Sequence, residues 1–172
     1  MNRNKAMIGI MLALVLLPAG ARAQQEPQKQ HKGKIVLTSI TEVEVTETNA
    51  KGEKEMKRLE IGKSKVVPGN VLVYTTTYRN IGKQPAEDIV ITNPVPAHME
   101  YVDRSAEGKG TKIAFSADKG KSYGTPYELT IADAKGKKRG VDAKEYTHLQ
   151  WTVVKPLPPG GSGRVSFKAR LQ

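Results

Sequence analysis

Val67-Pro68-Gly69-Asn70-Val71-Leu72-Val73-Tyr74-Thr75-Thr76-Thr77-Tyr78-Arg79 is the stretch on which the fold turns. Val67 to Asn70 is a turn, since proline presets one backbone angle and glycine accepts a positive φ. Of the nine residues that follow, seven are Val, Thr or Tyr, side chains that fit a pleated surface better than a helix. Strand alternation sends Leu72, Tyr74, Thr76 and Tyr78 one way and Val71, Val73, Thr75 and Thr77 the other, and both faces suit a sheet.

The same text runs outward in both directions. Downstream, Asn80-Ile81-Gly82-Lys83 turns the chain, and residues 87–92 predict a short strand with Ile89 and Ile91 in phase. Neither proline of Asn93-Pro94-Val95-Pro96 can donate to a ladder, so this segment marks a strand exit or an edge. Further strands are predicted at 99–103 and 111–117, with an extended edge segment at 123–131 that contains Pro126. Residues 146–154 place Leu149, Trp151 and Val153 opposite His148, Gln150 and Thr152. After a Pro/Gly loop at 155–161, residues 164–171 place Val165, Phe167, Ala169 and Leu171 opposite Arg164, Lys168 and Arg170. Upstream, residues 35–46 form a strand with Ile35, Leu37, Val43 and Val45 in phase and Glu42 and Glu44 on the exposed face. A turn at 49–52 joins it to a second strand at 53–61 that pairs with it. Many short strands without a long amphipathic helix predict an all-β antiparallel sandwich. Its core is read as Leu72, Tyr74, Ile89, Ile91, Leu149, Trp151, Val153, Val165 and Phe167.

Residues 1–23 read as a secretory signal of the general export type. Arg3 and Lys5 precede an apolar run from Ala6 to Leu17, Pro18 and Gly20 break it, and Ala21-Arg22-Ala23 offers a cleavage site. The run is too short for a bilayer, which needs about 20 residues, and no second apolar span follows it. With no cysteine in the chain there is no site for a lipid anchor and no disulfide framework. Cleavage therefore predicts a soluble periplasmic or secreted protein without a membrane span, with a flexible polar lead-in at 24–34 and one domain at 35–172. The signal holds three basic residues and no acidic one, so most of the formal charge of +11 belongs to the mature domain.

Val67 to Tyr74, then Arg79-Asn80-Ile81-Gly82, the alternating residues 86–91 and Asn93-Pro94-Val95-Pro96 resemble the bacterial domain of unknown function 11. Trp151, Pro158-Pro159-Gly160 and Gly163-Arg164-Val165-Ser166-Phe167 resemble its closing strand pair, and the likeness covers roughly residues 66–171. The resemblance implies an immunoglobulin-like sandwich of about seven to nine strands, of a kind repeated in surface and envelope proteins; here it occurs once. The family usually has Asp where this chain has Asn70 and Asn93, and that departure argues against calcium at those positions.

The sequence approaches several catalytic motifs and completes none of them. Gly62-Lys63-Ser64 and Gly120-Lys121-Ser122 lack the earlier glycine of a phosphate loop, and Arg164 stands where a nucleophile elbow needs glycine. His31, His98 and His148 are far apart in sequence and have no partner at metal-ligand spacing. Ser116 to Tyr123 fits the Ser-x-Asp-x-Gly-x-x-aromatic box of sialidase-like propellers, and is read as a hairpin in which Asp118 accepts backbone N–H bonds and Gly120 takes a positive φ. No catalytic, cofactor or metal residue is assigned. What remains is basicity: Lys135, Lys137, Lys138 and Arg139 form a candidate anion-binding loop within residues 133–140. The sequence thus predicts a non-catalytic envelope or secreted module with a structural or protein-interaction role. The alternative is a basic protein that holds an anionic envelope polymer, such as lipopolysaccharide, extracellular DNA or an acidic glycan. Specific nucleic-acid recognition is not expected, because aromatics are not interleaved with the basic residues.

Overall fold

The computed structural model describes residues 34–62 and 65–172; the secretory signal expected at 1–23 and nearly all of the lead-in expected at 24–34 lie outside the described residues. The chain forms an antiparallel all-β sandwich. The strands are β1 (Ile35–Thr48), β2 (Lys54–Glu60), β3 (Val71–Asn80), β4 (Val90–Pro94), β5 (Met99–Tyr101), β6 (Glu107–Gly108), β7 (Thr111–Ser116), β8 (Thr130–Ala132), β9 (Lys138–Gly140), β10 (His148–Val153) and β11 (Ser162–Leu171). A six-stranded sheet runs β2-β1-β3-β11-β5, with β6 also on β11, and a three-stranded sheet β4-β10-β7 covers part of it. These two sheets hold nine strands, while β8 and β9 pair only with each other.

The core forms where the inner faces meet. Trp151 on β10 and Phe167 on β11 are almost wholly buried, their ring centroids 6.2 Å apart across the sheets. Phe167 stacks on Tyr74 at 4.9 Å, and Phe115 of β7 stacks on Tyr146 at 4.5 Å, with Tyr101 of β5 tilted against both Phe115 and Tyr146. Leu72, Ile89, Ile91, Leu149 and Val165 are buried, whereas Tyr74 and Val153 are half-buried at the margin. Val43, Tyr78, Tyr101, Phe115, Tyr146 and Ala169 are equally buried and complete the interior. Trp151 Nε1 finds no acceptor among the described residues, so this residue is held for its ring and not for a hydrogen bond.

One end of the sandwich is closed by Asn80, which is fully buried. Its Nδ2 donates to the carbonyls of Gln84 and Leu157 at 2.8 and 2.9 Å, and its Oδ1 accepts from Gly82 N at 2.9 Å. Its own N–H and C=O bond Gly161 and Gly160, so one amide ties both loops at this end to the last residue of β3. At Gly163, opposite Tyr78 in the ladder, a Cβ would come within 2.2 Å of the tyrosine ring. The ring lies over the bare backbone, which requires glycine there.

Several local expectations shift. Residues 87–92 become β4 at Val90–Pro94, and Pro94 sits inside the strand because β4 is an edge and needs no further donor. The segment 123–131 is not one strand: Gly124 bridges Phe115, and Thr130–Ala132 pairs with β9 in the separate hairpin. Glu44 does not face water. Its side chain is only 9% exposed and accepts from Lys168 Nζ at 2.7 Å and Arg58 at 3.3 Å. The register sets Lys168 opposite Val73 and Glu44 opposite Val71, so the lysine stem crosses β3 and covers its outer face. This covers Val73, which is buried although it points away from the second sheet. Leu37 keeps its inward phase but is 53% exposed, because a cleft separates it from Val90 and Ile91 of β4.

Trp151→Ala should lower unfolding stability in urea by about 3–5 kcal/mol, and Asn80→Ala by about 2 kcal/mol or more through orphaned carbonyls. Near-neutral values would place these side chains outside the interior.

Candidate functional site

Three features of the frame could carry function: the Asp118 hairpin, the β8–β9 hairpin, and the open side of β1.

At the Asp118 turn, β7 ends in Ser116 and the chain reverses through Lys119 and Gly120, both at positive φ. Asp118 Oδ1 accepts from Ser116 Oγ at 2.7 Å and from the N–H groups of Lys121 and Ser122 at 3.0 Å, while Oδ2 accepts from Ser122 Oγ at 2.6 Å. These donors, Ser122 first, hold its carboxyl well below the ordinary range. A carboxylate occupied on both oxygens by its own turn has little left for a cation, so the geometry is that of a turn device. Asn93 donates its Nδ2 to Thr76 Oγ1 at 3.0 Å across the sheets, and an ionised Asp in its place would have no proton to donate.

The basic loop is the tip of the β8–β9 hairpin, which belongs to neither large sheet. Asp133 organises the turn by accepting from Lys135 N and Lys137 N at 2.9 and 2.8 Å. Lys135, Lys137 and Lys138 are exposed at the tip. Arg139 is differently placed: its guanidinium makes a two-pronged contact with Glu145 at 2.6 and 2.7 Å, fastening the hairpin to the short 3-10 turn Ala143–Glu145. The loop therefore offers three lysines to an anion, and its arginine is already spent on a carboxylate. Tyr127, before β8, is 98% exposed.

The third feature was not singled out in the sequence. β2 pairs with β1 only over Glu42–Thr48, although β1 begins at Ile35. Among the described residues no strand lies on the remaining edge, from Ile35 to Ile40. Val36, Leu37 and Ile40 are 41%, 53% and 48% exposed there, and no residue from 35 to 41 is charged. Beside this edge a cleft of about 300 Å³ opens between Ile35 and Leu37 on one side and residues 86–91 on the other, where Ala86, Ile89, Val90 and Ile91 are apolar and Glu87 and Asp88 are acidic. The signal available in the sequence was the uncharged run itself, which reads equally well as core.

Comparison with known proteins finds no matching family model, no matching curated protein and no matching solved structure.

Glu145 is held at about 2 by hydrogen bonds from Arg139 first and the Asp142 N–H second. A depressed carboxylate contributes its full stabilisation above the unfolded value of about 4.3 and loses it as pH falls through the folded value. The Asp142 amide resonance should therefore titrate with a midpoint near about 2. A midpoint at the ordinary carboxylate value would mean the Arg139–Glu145 pair is not formed in solution.

Proposed function

We propose that this protein is a non-catalytic, exported module of the bacterial envelope or secreted space that works by binding another protein. The observation that supports this is the open half of β1. Most sheet edges are blunted by charge, proline or cover, because a bare edge recruits other strands. Here β2 carries Lys54, Glu55, Lys57, Arg58 and Glu60, and β4 ends in Pro94, yet among the described residues no charge, proline or covering strand guards the edge from Ile35 to Ile40. Solvent-exposed apolar side chains gathered along an unguarded edge and an adjoining cleft are the chemistry of a protein contact. The resemblance to the domain of unknown function 11 and the secretory signal at residues 1–23 support the same setting.

A photo-reactive residue placed at Leu37 should give discrete protein adducts in cells, whereas the same residue at Met56, on the charged strand, should not. Equal labelling at both positions would overturn the reading. The mature protein should begin at Gln24 by mass spectrometry and be recovered from the periplasm or the medium; an intact N-terminus in the cytoplasm would remove the envelope setting.

A second reading rests on the three exposed lysines of the β8–β9 tip, which suit an anionic polymer. Replacing Lys135, Lys137 and Lys138 with neutral residues should then weaken heparin retention strongly, while Arg139→Gln, which frees Glu145, should add little. Undiminished retention in the triple variant would remove the loop from consideration.

A further inference from the structure

We propose that the occupant of the open β1 edge is the same edge of a second copy of this chain, so that two six-stranded sheets join across a two-fold axis. This rests on the protein-interaction reading and names its partner.

The hydrogen-bond phase of β1 shows which groups are available. Lys34 C=O accepts from Ile81 N on the β3 side, and Thr41 C=O accepts from Ile61 N on the β2 side. Antiparallel strands alternate the direction of their N–H and C=O pairs residue by residue. Even-numbered residues of β1 therefore bond β3, and Ile35, Leu37 and Ser39 turn their N–H and C=O to the open side. Thr41 is already taken, so the free window is centred on Leu37.

An isologous two-fold contact brings two copies of that window together antiparallel. With Leu37 on the axis, Leu37 faces Leu37 of the second copy, Ile35 faces Ser39 and Ser39 faces Ile35. All three bonding positions of each edge are then satisfied. On the outer face Val36 meets Thr38, a β-branched pair, and Leu37, now half exposed, is covered by its own copy. Charge agrees with this direction. The chain repels itself at a distance with a formal charge of +11, but the window carries no charge. At each end the alignment sets Lys34 beside Ile40 of the second copy and diagonal to its Glu42 on the same face, within reach of a long side chain. The cleft beside β1 leaves room for Leu37 and Ile35 to repack on the inner side.

The test uses the purified protein and the absence of native cysteine. Cα atoms of a directly hydrogen-bonded antiparallel pair lie about 5.5 Å apart, so Leu37→Cys should be joined into a covalent dimer by a short thiol-to-thiol linker. Ile81→Cys, on a residue 51% exposed off the edge, should remain monomeric. By light scattering the unmodified protein should dimerise as concentration rises. Leu37→Lys and Leu37→Glu should each be monomeric at concentrations where it is dimeric, and mixing the two should restore the dimer, a rescue that misfolding could not produce. A monomer at all concentrations, or equal cross-linking at positions 37 and 81, would overturn self-pairing. Adducts at position 37 in cells with a mass other than twice the chain would overturn it too while leaving the protein-interaction reading intact.

Discussion

The width of the smaller sheet governs the rest of the molecule. Strands lie about 4.8 Å apart, so β4-β10-β7 can cover little more than the width of three strands. It lies against a sheet whose main path is five strands wide. Trp151, Phe167, Tyr101 and Phe115 fill the volume where both layers exist, and burial there is nearly complete. Beyond that footprint the larger sheet must find other cover or remain open. On the inner side Ile35 still packs against the core, while Leu37 is left half exposed; the outer face has its own cover in the Lys168–Glu44 contact across β3.

Polar groups inside and around this frame are spent on fixing the chain. Asn80 gathers two loops, Asp118 closes the β7 turn, Glu145 fastens the β8–β9 hairpin, and Asn93 bonds across the layers. Each is a residue type that in another setting could serve catalysis or metal binding. Here every one is engaged by a backbone group or a neighbouring side chain, and each holds a loop, a turn or a strand in place. The exposed features left over, an apolar edge and a lysine-tipped hairpin, are surfaces for contact.

Much of the fold was legible because strand alternation is a local property. The phase of β3, of β10 around Trp151 and of β11 around Phe167 follows from side chains two residues apart, and those residues are buried. The pairing of β2 with β1 was legible from the turn between them. Less legible were Tyr101, in a strand of three residues, and Tyr146, in an irregular segment, where so few residues carry no readable period. The role of Arg139 was hidden as well, since its partner Glu145 lies beyond the loop and nothing in the local composition distinguishes it from the neighbouring lysines.

By itself, then, the sequence determined an all-β antiparallel architecture, the turns between its clearest strands, and which face of each long strand is apolar. All of these depend on composition and on spacing along one segment. Only the tertiary structure decided which apolar residues are covered. Leu37 and Val43 share a phase and a strand, yet one is half exposed and the other wholly buried. Val43 is paired with Leu59 of β2, whereas β2 stops before it reaches Leu37, which borders an open cleft; both features are set by packing between segments that no local period reveals.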